Sequence, residues 1–273
     1  MAIIAISRQV AALGDEIATA TAQKLGYKFF DRKAIEEKIV SLGFSADKLK
    51  KYDEKKPGFF ASLAKERDEY LDYLQTAILE AAEEGNCVLI GRGAFIILEG
   101  VPNLISVRCI APESIRMQRL MAEFNWDEKK AMQRIQESDV NRQGFNKSFF
   151  NLESDDPSQY NMVINSGMMN SDAAANIIAC ACENLVTPIL EEAGKNRIAE
   201  LLQGQWIVNK LLFEHKLNIN FLRAVVDSEL VTLQGVAENA ILCERAVLLT
   251  KDIMPDKKVE SCISIVQDFR AYP

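Results

Sequence analysis

The sequence predicts an α/β fold in which helices cover both faces of a mostly parallel sheet, followed by a smaller α+β module. Up to about residue 190, short apolar runs typical of buried strands alternate with longer stretches of helical spacing. After residue 197, two β-rich runs follow one another directly, and a helix and one more strand come after them. We therefore expect two domains, residues 1–192 and residues 198–273.

The elements of the first domain follow in a regular order. Strands are predicted at residues 2–6, 27–31, 87–90, 104–110 and 160–164. Helices are predicted at residues 15–25, 32–42, 59–84, 126–144 and 172–191, with a short helix ending at Leu98 and another beginning at residues 111–113. Residues 45–58 are polar and lysine-rich, and they predict a loop with a short helical piece.

The second domain has a different pattern. Residues 191–197 form a polar stretch with a glycine, typical of a linker. A helix is predicted at 205–215, strands at 217–226 and 230–236, a helix at 238–254 and a strand at 258–266. This α-β-β-α-β order of about 70 residues is enough for a small independent domain.

The composition of the chain argues against nucleic-acid-binding and membrane-spanning functions. The chain has 273 residues, of which 48% are hydrophobic, and a formal net charge of −7. Such an acidic chain argues against broad nucleic-acid binding, and no apolar run approaches the ~18 residues that a membrane span requires. We expect no signal peptide, because the sequence does not open with a basic segment and a long apolar one.

The six cysteines predict buried, reduced thiols in a cytoplasmic protein. None of them forms a C-x-x-C pair, and His215 is the only histidine, so we expect no metal site made of protein ligands. His215 is interpreted as a surface residue of a helix.

The first thirty residues indicate where a ligand binds. A buried strand, a turn and a helix open the chain, and the amino end of a helix offers N–H groups and partial positive charge to phosphates. Further motifs follow in order along the sequence: Gly26-Tyr27-Lys28-Phe29-Phe30-Asp31, Gly91-Arg92-Gly93, Ala111-Pro112-Glu113 with Arg116 and Arg119, Asp139-Val140-Asn141-Arg142, and Ile164-Asn165-Ser166.

Together these motifs resemble the cytidylate-kinase-like branch of the nucleoside monophosphate kinases, over roughly residues 1–185. The resemblance implies a P-loop three-layer α/β/α domain with a parallel sheet, a monophosphate-binding section and a mobile lid. It also implies Mg²⁺ with ATP as cofactor, if the chain is active, and a CMP-like nucleotide as partner.

The resemblance also implies roles for individual residues. Phosphate-binding roles fall on Ser7, Arg8 and Gly14. Monophosphate-binding roles fall on Asp31 and Arg92. Catalytic roles fall on Arg116, Arg119 and Arg142, because arginine grips phosphate in two places and offsets its charge.

Each of these residues also has a structural interpretation. Arg92 fits a solvated loop, and Arg116 and Arg119 fit surface charges of a helix. Arg142 has Asp139 three residues before it and fits a pair on one helix. Asp31 fits the N-cap of the helix that follows it.

The first loop departs from the family pattern, which is rich in glycine and followed by a basic residue. Here Ala11, Ala12 and Leu13 carry Cβ atoms that disfavour left-handed backbone, and Asp15 adds a negative charge. No G-x-x-x-x-G-K-[ST] motif occurs. This loop predicts that ATP binding is weakened or lost.

The C-terminal module resembles a BON domain, a small non-catalytic unit. The resemblance rests on residues 219–221, the segment Val231-Thr232-Leu233-Gln234-Gly235-Val236, the helix around 244–249 and the strand at 259–266. It implies a protein or a small ligand as partner.

Three functions remain open from the sequence. The first is a nucleoside monophosphate kinase, and the second is a catalytically inactive nucleotide-binding protein that signals through the second domain. The third is a scaffold that binds no nucleotide.

Overall fold

The chain forms two compact units, one up to Lys195 and one from Asn196 onward. The structure is a computed structural model that describes residues 2–52, 64–153 and 155–266.

The first unit is built on a parallel five-stranded sheet of order β2-β3-β1-β4-β5 within the described residues. Its strands are β1 (Ile3–Arg8), β2 (Lys28–Phe30), β3 (Cys87–Ile90), β4 (Leu104–Ile110) and β5 (Met162–Asn165). All residues of the central strand β1 are buried, as a parallel strand covered on both faces requires. Ile6 of β1 lies opposite Ile90 of β3 and Val107 of β4, so the carboxyl ends of these three strands meet. The predicted α/β fold class is confirmed.

Helices flank this sheet. They are α1 (Gly14–Leu25), α2 (Arg32–Ser41), α3 (Ala46–Leu49), α4 (Ala64–Glu83), α5 (Ala94–Ile97), α6 (Glu113–Phe124), α7 (Glu128–Phe150) and α8 (Ser171–Leu185). Helices α1 and α8 cover one face, where Ile17 and Ile178 pack with Ile4, Val88 and Val107 of the strands. The predicted loop residues 53–58 and helix residues 59–63 lie outside the described residues.

Two predicted helices have different bounds in the structure. Helix α7 continues past Gly144 to Phe150, because Phe145 and Phe149 are buried and their packing outweighs the ~1 kcal/mol helix penalty of one glycine. The helix predicted at 172–191 breaks at Val186, whose backbone is extended, and resumes at Pro188. Proline lacks an N–H group and disfavours helical backbone in the residue before it.

The linker predicted at 191–197 is helical instead. It lies inside α9 (Pro188–Asn209), in which the division between the two units falls. Glutamate, alanine, lysine and arginine dominate this stretch, and all four favour helix. The same residues are polar, and for this reason the composition of residues 191–197 indicates a linker when it is considered without the structure.

The second unit has the predicted order of elements. A π-helix (Lys210–Glu214) follows α9, and then come β6 (Ile219–Val226), β7 (Leu230–Ala237), α10 (Ala240–Ile253) and β8 (Lys258–Ile265). Strand β7 lies in the middle, antiparallel to β6 and parallel to β8. A bulge opposes Phe221 and Leu222 of β6 to Gly235 of β7, and Val231, Leu233 and Ala246 are among the buried core residues.

Among the described residues, no single helix is long and apolar enough to cross a membrane. The helix α8 and the helical stretch 188–214, bent by 95° at their break, meet the same test of length and composition only as a pair.

Candidate phosphate-binding loop and arginine-lined cleft

The loop between β1 and α1 has alternating backbone handedness. Ala11 and Leu13 both adopt left-handed conformations with φ of 56°, while the residues around them have negative φ. The sequence argument that alanine and leucine disfavour this geometry is therefore overridden in the folded chain. Alternation of this kind turns successive N–H groups towards one side, which is the geometry of an anion-binding nest. The N–H groups of Ala11 and Leu13 have no acceptor among the described residues.

Two arginines of α6 contact the outer side of this loop. Arg116 donates through Nε to the carbonyl of Val10 at 3.0 Å, and Arg119 donates through Nη1 to the carbonyl of Ala11 at 2.9 Å. Their i, i+3 spacing places both on one face of the helix. Arg116 is buried, so its interpretation as a surface charge is wrong.

Ser166, which follows β5, completes this support. Its buried hydroxyl donates to the carbonyl of Ala12 at 2.8 Å. Arg119 donates through Nη2 to the carbonyl of Ser166 at 2.7 Å. The loop is thus fixed from outside by α6 and by the segment after β5.

A cleft opens beside the loop at the carboxyl ends of β1, β3 and β4. It contains about 360 Å³ of atom-free space, partly open to solvent. It is lined by Ser7, Arg8, Gly91, Arg92, Gly93, Phe95, Arg108, Arg142, Phe145 and Asn146. Among the residues that the structure describes, this lining includes four arginines and no carboxylate, so it favours an anion. In open α/β sheets, ligands bind at this edge.

Arg142 joins the cleft from α7. Its Nη1 donates to the carbonyl of Arg8 at 3.1 Å. Asp139, the carboxylate considered as its helix partner, accepts two bonds from Arg116, at 2.9 and 2.7 Å, and the nearby charge of Arg142 also acts to lower its pKa. Arg142 is therefore brought together with Ser7, Arg8 and Arg92, whereas Arg116 and Arg119 lie behind the loop.

Arg108 is a cleft residue that the sequence interpretation missed. It is only 6% exposed, and its Nη1 donates to Ser7 Oγ at 2.8 Å from the neighbouring strand. Its Nη2 contacts Asp155, and its guanidinium lies 5.9 Å from the centroid of the Tyr160 ring. The available sequence signal was an arginine inside a predicted buried strand, because burying a charge without a partner is costly.

Arg92 has left-handed backbone, with φ of 53° between two glycines, and a fully buried side chain. Its Nη1 donates to the carbonyl of Tyr52 at 2.6 Å and to the Tyr70 hydroxyl at 3.0 Å, and its Nη2 contacts Glu36. The interpretation as a solvated loop residue is wrong. The carboxylate of Glu36 already offsets much of the positive charge of Arg92.

Asp31 lies outside this cleft lining and caps α2. Its carboxylate accepts a bond from the Ala34 N–H at 2.7 Å. The N-cap interpretation is confirmed.

Two carboxylates beside the loop are held by arginines. Asp15, in the first turn of α1, accepts a bond from Arg8 Nε at 3.5 Å and keeps 65% of its side chain exposed. Burial raises the pKa of Asp139 above its ordinary value, against the opposing effect of Arg116. Desolvation therefore outweighs attraction in the Arg116–Asp139 pair.

Within the described part of the chain, no group of three or more His, Cys, Asp or Glu side chains could hold a metal ion.

The first unit is similar in sequence to known cytidylate kinases. A model of the cytidylate kinase-like family matches residues 3–168. A cytidylate kinase of Methanocaldococcus jannaschii is 30% identical over 128 residues, which cover 46% of this chain and 70% of that protein. A cytidylate kinase of Methanococcus maripaludis is 29% identical over 128 residues, covering 46% and 72% respectively.

A solved structure supports the fold. The crystal structure of an uncharacterized protein from Eubacterium ventriosum superposes with a TM-score of 0.54 at 20% identity, covering 67% of this chain and 99% of that chain.

Proposed function

The chain belongs to the cytidylate kinase-like family, and on this basis we propose that it transfers a phosphoryl group from ATP to a CMP-like nucleoside monophosphate. One observation carries the proposal: a loop with nest geometry adjoins a cleft lined by four arginines. The loop suits the phosphates of ATP, and the cleft suits the phosphate of the acceptor.

Phosphoryl transfer requires little covalent catalysis by the protein. Phosphoryl transfer requires alignment of the two substrates and positive charge around the moving group. Ser7, Arg8 and Gly14 form or adjoin the loop and are proposed to contact phosphate. Arg142 of α7 and Arg108 of β4 both bring positive charge to the cleft lining, and we propose Arg142 as the catalytic arginine nearest the transferred group.

The monophosphate-binding proposal for Arg92 rests on its position in the cleft lining. Because its guanidinium is engaged with Glu36 and Tyr70, it acts mainly by shaping that wall. A monophosphate role for Asp31 has less support, since its carboxylate caps α2.

Mg²⁺ would accompany ATP. The family implies it, and Mg²⁺ prefers carboxylate and phosphate oxygens while keeping several waters. Asp15 fits this chemistry, because its exposed carboxylate stands beside the loop and contacts Arg8 through one oxygen. When bound, the ion would offset the negative charge of the phosphates.

A coupled assay tests this function. The chain with Mg²⁺ and ATP is offered CMP, dCMP, UMP or AMP, and nucleoside diphosphate is quantified. We expect turnover with a pyrimidine monophosphate and its loss in Arg142→Ala and Arg92→Ala. Arg134→Ala, an exposed arginine on the same helix as Arg142, is the matched control. Absence of product with every monophosphate would overturn the kinase proposal.

A second function is favoured by the loop sequence. Ala11, Ala12 and Leu13 replace the glycines of the family, and Asp15 stands where a basic residue is expected. These replacements support a catalytically inactive nucleotide-binding protein, or a scaffold, that acts through the second unit. A thermal shift with nucleotide but no product would favour the former, and no shift with any nucleotide would favour the latter.

For the second unit we propose a BON-like binding role towards a protein or a small ligand. Its helix-strand-strand-helix-strand order supports this proposal. We place the whole chain in the cytoplasm, where ATP and nucleoside monophosphates are found. Deletion of the second unit should leave nucleotide binding unchanged if that unit acts on a separate partner.

A further inference from the structure

Three successive carbonyls of the first loop each receive a hydrogen bond from a side chain outside the loop. Arg116 donates to Val10, Arg119 donates to Ala11, and Ser166 donates to Ala12, at 3.0, 2.9 and 2.8 Å. Backbone carbonyls of a short loop more often point to water or to other backbone groups. Three such bonds to consecutive residues indicate that these side chains hold the loop in its conformation.

The loop requires support because of its residue types. Glycine adopts left-handed backbone at no steric cost, but alanine and leucine do not. Ala11 and Leu13 nonetheless have φ of 56°. Surrounding contacts must therefore hold these residues in place.

Peptide geometry links the support to the anion site. In a planar trans peptide, the carbonyl of one residue and the N–H of the next point in opposite directions. Bonds that draw the carbonyls of Val10 and Ala12 outward therefore turn the N–H groups of Ala11 and Leu13 to the opposite side. Those are the N–H groups that have no acceptor among the described residues.

The guanidinium groups of Arg116 and Arg119 are already used by the protein. All three nitrogens of Arg116 donate, to Val10 and Asp139. Both terminal nitrogens of Arg119 donate, to Ala11 and Ser166. Neither arginine lines the cleft.

We propose that Arg116 and Arg119 are positioning residues that, with Ser166, hold a loop without internal glycine in its phosphate-binding conformation. Their hydrogen bonds stabilise the left-handed backbone that glycine permits in the family pattern, and they do not contact phosphate themselves. The inference rests on the proposed function in that the loop is taken to bind phosphate.

A rescue experiment tests this role. Affinity for inorganic tripolyphosphate is measured by calorimetry for the full chain, Arg119→Ala, Ala11→Gly and the double variant. We expect Arg119→Ala to weaken binding about tenfold, the value of one charged hydrogen bond. Adding Ala11→Gly should restore most of the affinity, because glycine holds positive φ unaided. Arg134→Ala serves as the control and should bind like the unaltered chain.

The outcomes are distinct. If glycine does not restore binding, or if Arg119→Ala binds normally, the positioning role is overturned. If Arg119→Ala does not fold, Arg119→Lys takes its place: it should bind tripolyphosphate more weakly than the unaltered chain, Ala11→Gly should again restore the affinity, and failure of that rescue overturns the role.

A crystal structure of Arg119→Ala without ligand gives a separate readout. Residue 11 should leave the left-handed region, and it should return there in the double variant. Persistence of positive φ at residue 11 in Arg119→Ala would overturn the inference. If the unaltered chain binds no tripolyphosphate, the proposed function fails, and this crystallographic comparison still decides the positioning role.

Discussion

Gly14, the first residue of α1, packs directly against the side chain of Arg8. A Cβ atom at Gly14 would lie 2.5 Å from Cβ and 2.6 Å from Cγ of Arg8, closer than any tolerated contact. Gly14 does not have left-handed backbone, so glycine is required here for the close approach alone. The arginine reaches the cleft because this one position lacks a side chain.

Gly14→Ala should displace Arg8 and damage both the loop and the cleft. Overpacking of this kind costs about 1–3 kcal/mol, which urea unfolding measures. Nucleotide affinity, measured by calorimetry, should fall in parallel. Gln23→Ala on the exposed surface of α1 should change neither quantity. Unchanged affinity in Gly14→Ala would show that Arg8 does not depend on this contact.

Arg108→Met should weaken binding of a CMP-like monophosphate. The substitution keeps the length of the side chain but removes a buried charge and its bond to Ser7. Hydrogen bonds to charged groups contribute about 1.5–3 kcal/mol, so affinity should fall about tenfold or more. Arg108→Lys keeps the charge and should lose less. Equal losses in the two variants would argue that Arg108 supports the strands without acting on the ligand.

Local sequence patterns predicted much of this fold. The strands at β1, β3 and β4 and the cap of α2 by Asp31 depend on neighbours within a few residues, so spacing and residue type reveal them. The family resemblance also selected Arg142 and Arg8, and both lie in the cleft lining.

The remaining features depend on tertiary contacts that one sequence does not contain. Arg108 reaches Ser7 because the two residues are register partners in neighbouring strands that are about a hundred residues apart. Arg116 and Arg119 were placed on one helix face, but what that face meets is set by packing. The left-handed backbone of Ala11 likewise contradicts its intrinsic preference, because distant side chains hold its carbonyl.

Cysteine reactivity should divide the thiols by burial. Burial raises the pKa of Cys87 and of Cys109 to about 12, from an ordinary value of 9.0. Cys180 and Cys262 are exposed. Iodoacetamide at about pH 8.5 should therefore label the exposed pair, and mass spectrometry should find Cys87 and Cys109 unlabelled until urea unfolds the chain, because the thiolate is the nucleophile.

The same thiols predict a pH dependence of stability. Their folded pKa is raised, so the folded state binds these protons more tightly than the unfolded state does. Their contribution is fully present below pH 9 and is lost as the pH rises towards 12. The urea midpoint should fall over this range, and Cys87→Ala with Cys109→Ala should reduce the slope. An unchanged slope would contradict the assignment.

Asp139→Ala should destabilise the first unit by leaving Arg116 buried without its carboxylate. Breaking a buried ion pair costs several kcal/mol, and we expect about 2–4 because Asp139 keeps part of its surface in water. Replacing both residues, as Arg116→Met with Asp139→Leu, should recover much of that loss, since the pair itself is costly to desolvate. Urea unfolding measures both variants. A double variant no more stable than Asp139→Ala would contradict this account.

Gly235→Ala should destabilise the second unit alone. Gly235 lies in the bulge with φ of 156°, and a Cβ there would approach Ile219 Cγ2 to 3.0 Å and the Asn220 carbonyl to 3.1 Å. We expect a loss of about 1–3 kcal/mol from the strain and the contacts together.

The chain has two tryptophans, Trp126 in the first unit and Trp206 in the second, so each unit has its own fluorescent reporter. In Trp126→Phe and Trp206→Phe backgrounds, the urea transition seen by Trp206 should move to lower concentration, while the transition seen by Trp126 stays in place. Because each unit has its own buried core, a shift of both transitions together would contradict independent folding of the two units.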